Sequence, residues 1–179
     1  MDVVKTIDAK KLGAQLKSLA HHIAEKHRGQ ARSVALVGIA NGGIPFAQML
    51  RAALTQAWGA SPPCGAINAA FHRDDIALHP IPKVYQQTQL TFDIEDRLII
   101  LCDDVLFTGR TARAALNELF DQGRPAAVEL AVLFDRGHRK LPIQPDHVGF
   151  REDVDPRLRV KVNLPVDQPA EHSIVFYQP

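Results

Sequence analysis

Apolar and polar positions along this chain follow two periods in alternation. Leu12, Leu16, Leu19 and Ile23 recur at helical spacing and predict an amphipathic first helix ending near Gly29. Val34 to Ile39 has no polar interruption, as expected of a strand covered on both faces of a parallel sheet. Asn41-Gly42-Gly43 turns that strand into a helix from about Pro45 to Leu54, and Ile67, Ala69 and Phe71 place another strand before His72. A long polar segment broken by Pro80 and Pro82 then runs to Leu98 with little periodicity. Loops of that length inside compact domains are functional lids or disordered. A second uninterrupted strand starts at Ile99. After it, Ala112, Ala115, Leu116, Leu119 and Phe120 make one apolar helix face, Gly123 stands where a left-handed cap belongs, and Pro125 follows. Val128 to Phe134 is the next buried strand, and Val148-Gly149, Arg159 to Val162 and Ile174 to Tyr177 are short strand-like pieces. Strand and helix in alternation predict an α/β fold around a parallel sheet.

Composition narrows the class without naming a chemistry. At 179 residues, 46% apolar and 23% charged, the chain suits one globular domain, residues 1–179. No apolar stretch reaches the ~20 residues of a membrane span, and the polar start from Met1 to Lys11 is no signal peptide. Two cysteines, Cys64 and Cys102, make neither a disulfide framework nor a metal-ligand spacing, so a reducing cytoplasm is the expected setting. A net charge of +1 leaves any nucleic-acid partner to local patches, for which Lys10, Lys11, Lys17, Lys26, Arg28 and Arg32 are the candidates.

The chemistry concentrates at the end of the strand that starts at Ile99. Ile99-Ile100-Leu101-Cys102 leads into Asp103-Asp104, then Val105-Leu106-Phe107-Thr108-Gly109-Arg110-Thr111, and a helix follows at once. A helix N-terminus carries unsatisfied amides and about half a positive charge, so it can hold a phosphate. Thr108 and Thr111 add hydroxyls, Gly109 allows close backbone approach, and Arg110 adds charge. The two carboxylates repel that phosphate and suit sugar hydroxyls or a hard cation instead. A ligand with a phosphate beside a diol satisfies both halves. The dinucleotide and P-loop glycine fingerprints are both absent.

This run resembles the phosphoribosyl-pyrophosphate signature of the type I phosphoribosyltransferases. A second run, Leu130-Ala131-Val132-Leu133-Phe134-Asp135-Arg136-Gly137-His138-Arg139-Lys140-Leu141-Pro142-Ile143 with Pro145-Asp146-His147-Val148-Gly149, is similar to the pyrimidine-operon regulators that are also uracil phosphoribosyltransferases (the PyrR-like group). Phe71-His72-Arg73-Asp74-Asp75, Thr91-Phe92-Asp93-Ile94 and Gly109 to Leu116 point the same way, and the resemblance runs from about Lys11 to Gly149. It implies a central, mostly parallel sheet flanked by helices, a small hood from the N- and C-terminal segments, and a flexible active-site loop. It also implies a homodimer or higher oligomer.

The roles it implies are specific. Asp103 and Asp104 hold the ribose diol and, through ribose or water, magnesium; Val105 to Thr111 hold the 5′-phosphate; Ala40-Asn41-Gly42-Gly43 offers amides to the pyrophosphate. Arg73 in the long loop meets pyrophosphate during catalysis, and Arg136, His147 and Val148 form the base site. The purine enzymes carry an Asp three places after the second acid, facing the purine N7; here that place is Phe107, which has no proton to exchange. The expected reaction is transfer of phosphoribose from phosphoribosyl pyrophosphate to uracil, giving UMP and diphosphate. Two alternatives stand beside it: a leader-mRNA-binding, pyrimidine-responsive attenuator with little catalysis, and a phosphoribosyltransferase of another base preference. The chain departs from the regulators' pattern twice. Ala40-Asn41-Gly42-Gly43 replaces an arginine-bearing turn, and Phe150-Arg151-Glu152-Asp153-Val154-Asp155 replaces a neutral-to-basic segment.

Overall fold

A computed structural model of the chain describes residues 2–70 and 87–179. Five strands form one parallel sheet in the order β3-β2-β4-β5-β6, where β2 is Val34–Ile39, β3 Cys64–Ile67, β4 Leu98–Leu106, β5 Ala127–Asp135 and β6 His147–Arg151. All six residues of β2 are buried, which is why it reads as an unbroken apolar run. β1 (Asp2–Ile7), β7 (Arg159–Asn163) and β8 (Ser173–Gln178) form a separate antiparallel sheet in the order β1-β8-β7, drawn from the two ends of the chain.

Three helices cover the parallel sheet. α1 (Ala9–Lys26) starts at Asp8, whose carboxylate accepts the Lys11 amide at 2.8 Å, and buries Leu12, Leu16, Leu19 and Ile23 as its spacing predicts. With α2 (Gly43–Trp58) it packs on one face, over Leu36, Ile100, Cys102, Ala131 and Leu133. α3 (Arg110–Gln122) packs on the other, with Ala112, Ala115 and Leu119 against Val37, Ile99, Leu101 and Val132. Among the described residues no helix is long and apolar enough to cross a membrane.

Several boundaries differ from the expected ones. α2 runs on past Leu54 to Trp58, because Thr55, Gln56 and Ala57 are good enough helix residues to propagate until Gly59 takes φ 68°. The third strand is Cys64–Ile67, so Ala69 lies beyond it and Phe71 lies outside the described residues. Phe120 is 54% exposed, on the rim of α3 and not in its apolar face. Gly123 ends α3 near the extended region (φ 158°, ψ −167°), not in a left-handed cap. β1 carries no apolar alternation, five of its six residues being exposed, and only its pairing with β8 makes it a strand.

Strand order locates the crevice. From β2 the chain goes through α2 to β3 on one side, and from β4 through α3 to β5 on the other. The turns leaving β2 and β4 are neighbours that depart to opposite faces, and open α/β sheets bind ligands at that switch point.

Candidate active site

The two turns at the switch point touch. Gly42 packs so closely on Asp104 that a Cβ there would lie 2.2 Å from Asp104 Oδ2, and one on Gly43 would lie 2.2 Å from the Cys102 carbonyl oxygen. Only glycine at both positions lets the first turn reach the carboxylates. The Ala40–Asn41 peptide is cis. The Ala40 amide donates to Ile67 O at 2.9 Å, whereas the amides of Asn41, Gly42 and Gly43 have no hydrogen-bond partner among the described residues.

The second turn is built the same way. Gly109, at φ 88°, forms the N-cap of α3 and bends the chain into a helix whose first turn carries no acid. The carbonyls of the turn are held from behind: Leu106 O accepts from the Arg136 amide at 3.1 Å, and Thr108 O from the Lys140 and Leu141 amides at 3.0 and 3.2 Å. The amides of Phe107, Thr108, Gly109 and Thr111 have no partner among the described residues. A row of donors at a helix N-terminus with the carbonyls turned away is an anion cradle.

Asp103 is 5% exposed, and its Oδ1 accepts the Asp104 amide at 3.0 Å. Burial, with the neighbouring Asp104 carboxylate adding to it, pushes its pKa well above the ordinary 3.8. Asp104 is half-buried; burial raises its pKa too, against the Val105 amide that its Oδ1 accepts at 3.0 Å. The raised pKa makes the charged form of Asp103 a burden on the fold. That burden is absent below pH 3.8, where the acid is protonated folded or unfolded, and grows as pH rises through its folded value. Asp103→Asn is therefore expected to stabilise the protein by about 1–2 kcal/mol at pH 7, roughly 2–8 °C in Tm, while turnover falls. Thermal melts at pH 7 and pH 3.5 check it: the gain shrinks at the lower pH.

A third segment, after β5, supports the cradle. Asp135, 4% exposed, accepts Arg139 Nη2 at 2.5 Å, the Gly137 amide at 3.1 Å and Arg151 Nε at 3.2 Å. Burial acts to raise its pKa, but these donors outweigh it and the carboxyl stays below its ordinary value. Arg139 also donates to Phe107 O at 2.8 Å and to Ile143 O at 3.1 Å, so one guanidinium ties the turn at Phe107 to β5. Sequence reasoning gave Arg139 no role; it stood in a quoted motif with no chemistry of its own. Arg139→Ala is expected to cost about 2 kcal/mol of stability and to raise KM for a phosphate-bearing substrate about tenfold. Steady-state kinetics beside a melt measure both, and an unchanged KM separates packing from positioning.

The structure brings together Asp103, Asp104, Val105 to Thr111, Ala40 to Gly43 and Arg136. Arg136 is 5% exposed, and its Cζ lies over the Phe107 ring, 4.2 Å from the centroid. Its Nη2 donates to Leu158 O at 3.1 Å and Asp155 O at 3.4 Å, and its buried Nε has no partner among the described residues. Phe107, Arg136 and the turn from Asp155 to Leu158 thus form one wall, and that turn was absent from the expected site. Arg73 lies outside the described residues.

His147 and Val148 are not brought to this wall. β6 pairs with β5 from Ala131↔His147 to Asp135↔Arg151, so Arg151 is the residue at the crevice and His147 stands four residues away, about 13 Å along the strand. His147 Nε2 instead contacts Glu129 Oε2 at 2.6 Å, and Val148 packs on the α3 side of the core. The expected assignment failed because a short strand has two ends, and only register tells which end meets the site.

Comparison with known proteins agrees with this geometry. The model of the phosphoribosyl transferase domain matches residues 6–161. The bifunctional protein PyrR of Geobacter sp. (strain M21) is 47% identical over 143 residues, 80% of each chain. That of Deinococcus radiodurans is 44% identical over 149 residues, 83% of this chain and 81% of its own. Among solved structures, the hypoxanthine phosphoribosyltransferase of Trypanosoma cruzi superposes with a TM-score of 0.71 at 19% identity, covering 100% of this chain and 97% of that one. A hypoxanthine-guanine phosphoribosyltransferase of Bacillus anthracis gives 0.68 at 18%, covering 98% of each. At that identity the solved structures speak for the fold alone.

Proposed function

This chain belongs to the phosphoribosyl transferase domain family and, within it, to the group of the bifunctional PyrR proteins; on that premise we propose that it transfers phosphoribose from phosphoribosyl pyrophosphate to uracil, giving UMP and diphosphate. The observation that carries this reading is the contact of the Gly42 turn with Asp104 beside the amide cradle of Phe107 to Thr111. It sets donors for two separate anionic groups on either side of carboxylates suited to a diol between them.

In the transfer, uracil N1, its proton lost to water, forms a bond to ribose C1 while the bond from C1 to pyrophosphate oxygen breaks with its electron pair on the diphosphate. Positive charge grows on the ribose as it passes through an oxocarbenium-like state. The protein's part is to position the reactants and stabilise developing charge, with no covalent step. Asp104 and, behind it, Asp103 accept the ribose hydroxyls. The amides of Phe107, Thr108, Gly109 and Thr111 hold the 5′-phosphate, with the two threonine hydroxyls beside them. The amides of Asn41 to Gly43 face the diphosphate, where Arg73 also belongs. Arg136, with an unpartnered Nε at the Phe107 wall, stands ready to donate to a pyrimidine carbonyl.

Magnesium fits this donor set. Asp103 and Asp104 supply oxygen ligands only, and the Gly42 cradle that a Cβ would fill keeps Asp104 Oδ2 beside the diphosphate turn. When bound, the ion neutralises charge on the departing diphosphate. Purified protein offered phosphoribosyl pyrophosphate and magnesium with uracil, hypoxanthine, guanine, xanthine or orotate, with diphosphate release followed, tests the reading. Turnover with uracil is expected; turnover with a purine and none with uracil overturns it.

A second reading, binding of a leader RNA by a cytoplasmic homo-oligomer, is favoured by the exposure of Lys10, Lys11 and Lys17 along α1 and of Arg32 after it. RNA binding through such a face weakens steeply with salt. Filter binding of a pyrimidine-operon leader at 50 and 200 mM salt tests it, and affinity independent of salt excludes that face.

A further inference from the structure

At the β6 edge of the parallel sheet, toward the N-terminal end of β5, three separate stretches of chain converge. His27 follows the last turn of α1, Glu129 is the third residue of β5, and His147 opens β6. His27 Nε2 lies 2.9 Å and His147 Nε2 2.6 Å from the same carboxylate oxygen, Glu129 Oε2. Among the described residues this is the group of three whose ligand atoms all lie within 4.8 Å of one another.

Three features suit this arrangement to an ion. Two imidazole nitrogens are aimed at one carboxylate oxygen. Their rings stand at 72° with centroids 6.3 Å apart, so they approach a common point from different directions. Glu129 Oε1 is held by Lys26 Nζ at 2.8 Å, which fixes the carboxylate with Oε2 toward the histidines. Such outer contacts orient the ligands of metal centres. A tetrahedral ion bonded at about 2.0–2.1 Å separates its donors by about 3.3 Å. The present contacts reach that spacing if each opens by less than about 1 Å, within the freedom of side-chain torsions.

We propose that His27, Glu129 and His147 form a binding site for a first-row divalent cation of the zinc type, separate from the magnesium of the candidate active site. Two imidazoles and one carboxylate suit zinc, cobalt or nickel and not magnesium or calcium, which take oxygen ligands. The histidines are 6% and 7% exposed, so access is from the Glu129 side, beneath the half-exposed Lys26. Water completes the coordination there. The bound ion clamps the end of α1 to β5 and β6, and so adds to stability in proportion to its occupancy.

The test uses the full chain, stripped with chelator and dialysed. Cobalt(II) is titrated and its visible absorption followed, then zinc is titrated by calorimetry with and without 5 mM magnesium. One cobalt per chain with bands of a four-coordinate ion, displaced by zinc and unaffected by magnesium, is expected, and zinc raises Tm. His147→Ala and Glu129→Gln are each expected to weaken zinc at least tenfold, while the double variant His21→Ala/His22→Ala, altering exposed histidines of α1, binds as the parent does. Circular dichroism confirms that each variant is folded; Glu129→Gln keeps the side chain's size and an acceptor if His147→Ala does not fold. Absence of a stoichiometric cobalt spectrum in the parent overturns the proposal. So does zinc affinity that survives both substitutions or is lost with His21 and His22.

Discussion

Asp104→Asn is expected to lower turnover with phosphoribosyl pyrophosphate by about 100-fold or more while the protein stays folded with an unchanged or higher Tm. The asparagine carbonyl can still accept the Val105 amide, now 3.0 Å from Asp104 Oδ1, so the turn keeps its shape. What is lost is the charged acceptor beside the Gly42 turn, the group placed to oppose positive charge as it grows on the ribose. Losing one preorganised electrostatic contact of that kind costs about 10²–10³ in rate. Burial already raises the pKa of Asp104, so replacing it relieves the folded state of a charge. Turnover measured by diphosphate release beside a thermal melt separates the outcomes. An unfolded variant would make the acids structural and leave the ribose without its ligands.

Gly43→Ala is expected to have the largest effect on the fold. Its Cβ would run into the backbone of β4: Cys102 O at 2.2 Å, Cys102 C at 3.1 Å and Asp103 Cα at 3.2 Å. Cys102 is fully buried in β4, which is paired with both β2 and β5, so it has nowhere to go. Overpacking against a fixed backbone costs about 3 kcal/mol, or roughly 6–12 °C in Tm for a chain of this size. The same displacement moves the first turn off the carboxylates, so activity is expected to fall with stability. Gly13→Ala is the control. It lies in α1 with nothing within 4 Å of its Cβ, and it is expected to stabilise by about 0.5–1 kcal/mol through helix propensity alone. Urea unfolding of the two variants in parallel measures the contrast.

Where the candidate site is made of neighbours in the chain, the sequence was enough to place them. The carboxylates, the threonine-glycine turn and the helix N-terminus are consecutive from Asp103 to Thr111, so strand period, turn chemistry and helix period together placed them. β2 was legible to the residue because both its faces are covered and no polar position breaks it. β1 was not, because five of its six residues are exposed and its partner β8 lies at the other end of the chain.

The wall at Phe107 and the histidine cluster needed tertiary structure. Asp155 and Leu158 meet Arg136 through backbone carbonyls, which carry no side-chain signature. Arg139 reaches the phosphate turn through the Phe107 carbonyl, which is silent in sequence for the same reason. His147 was sent to the wrong end of β6, since motif spacing says nothing about which end of a parallel strand faces the crevice. His27, Glu129 and His147 are far apart in sequence and close only because α1, β5 and β6 begin or end at one edge. The sequence by itself determined the helices, the strands other than β1 and the run from Asp103 to Thr111, for these rest on contacts between near neighbours. The pairing of strands decided everything that joins distant segments: the contact of Gly42 with Asp104, the wall at Phe107 and the cluster of His27, Glu129 and His147 at the β6 edge.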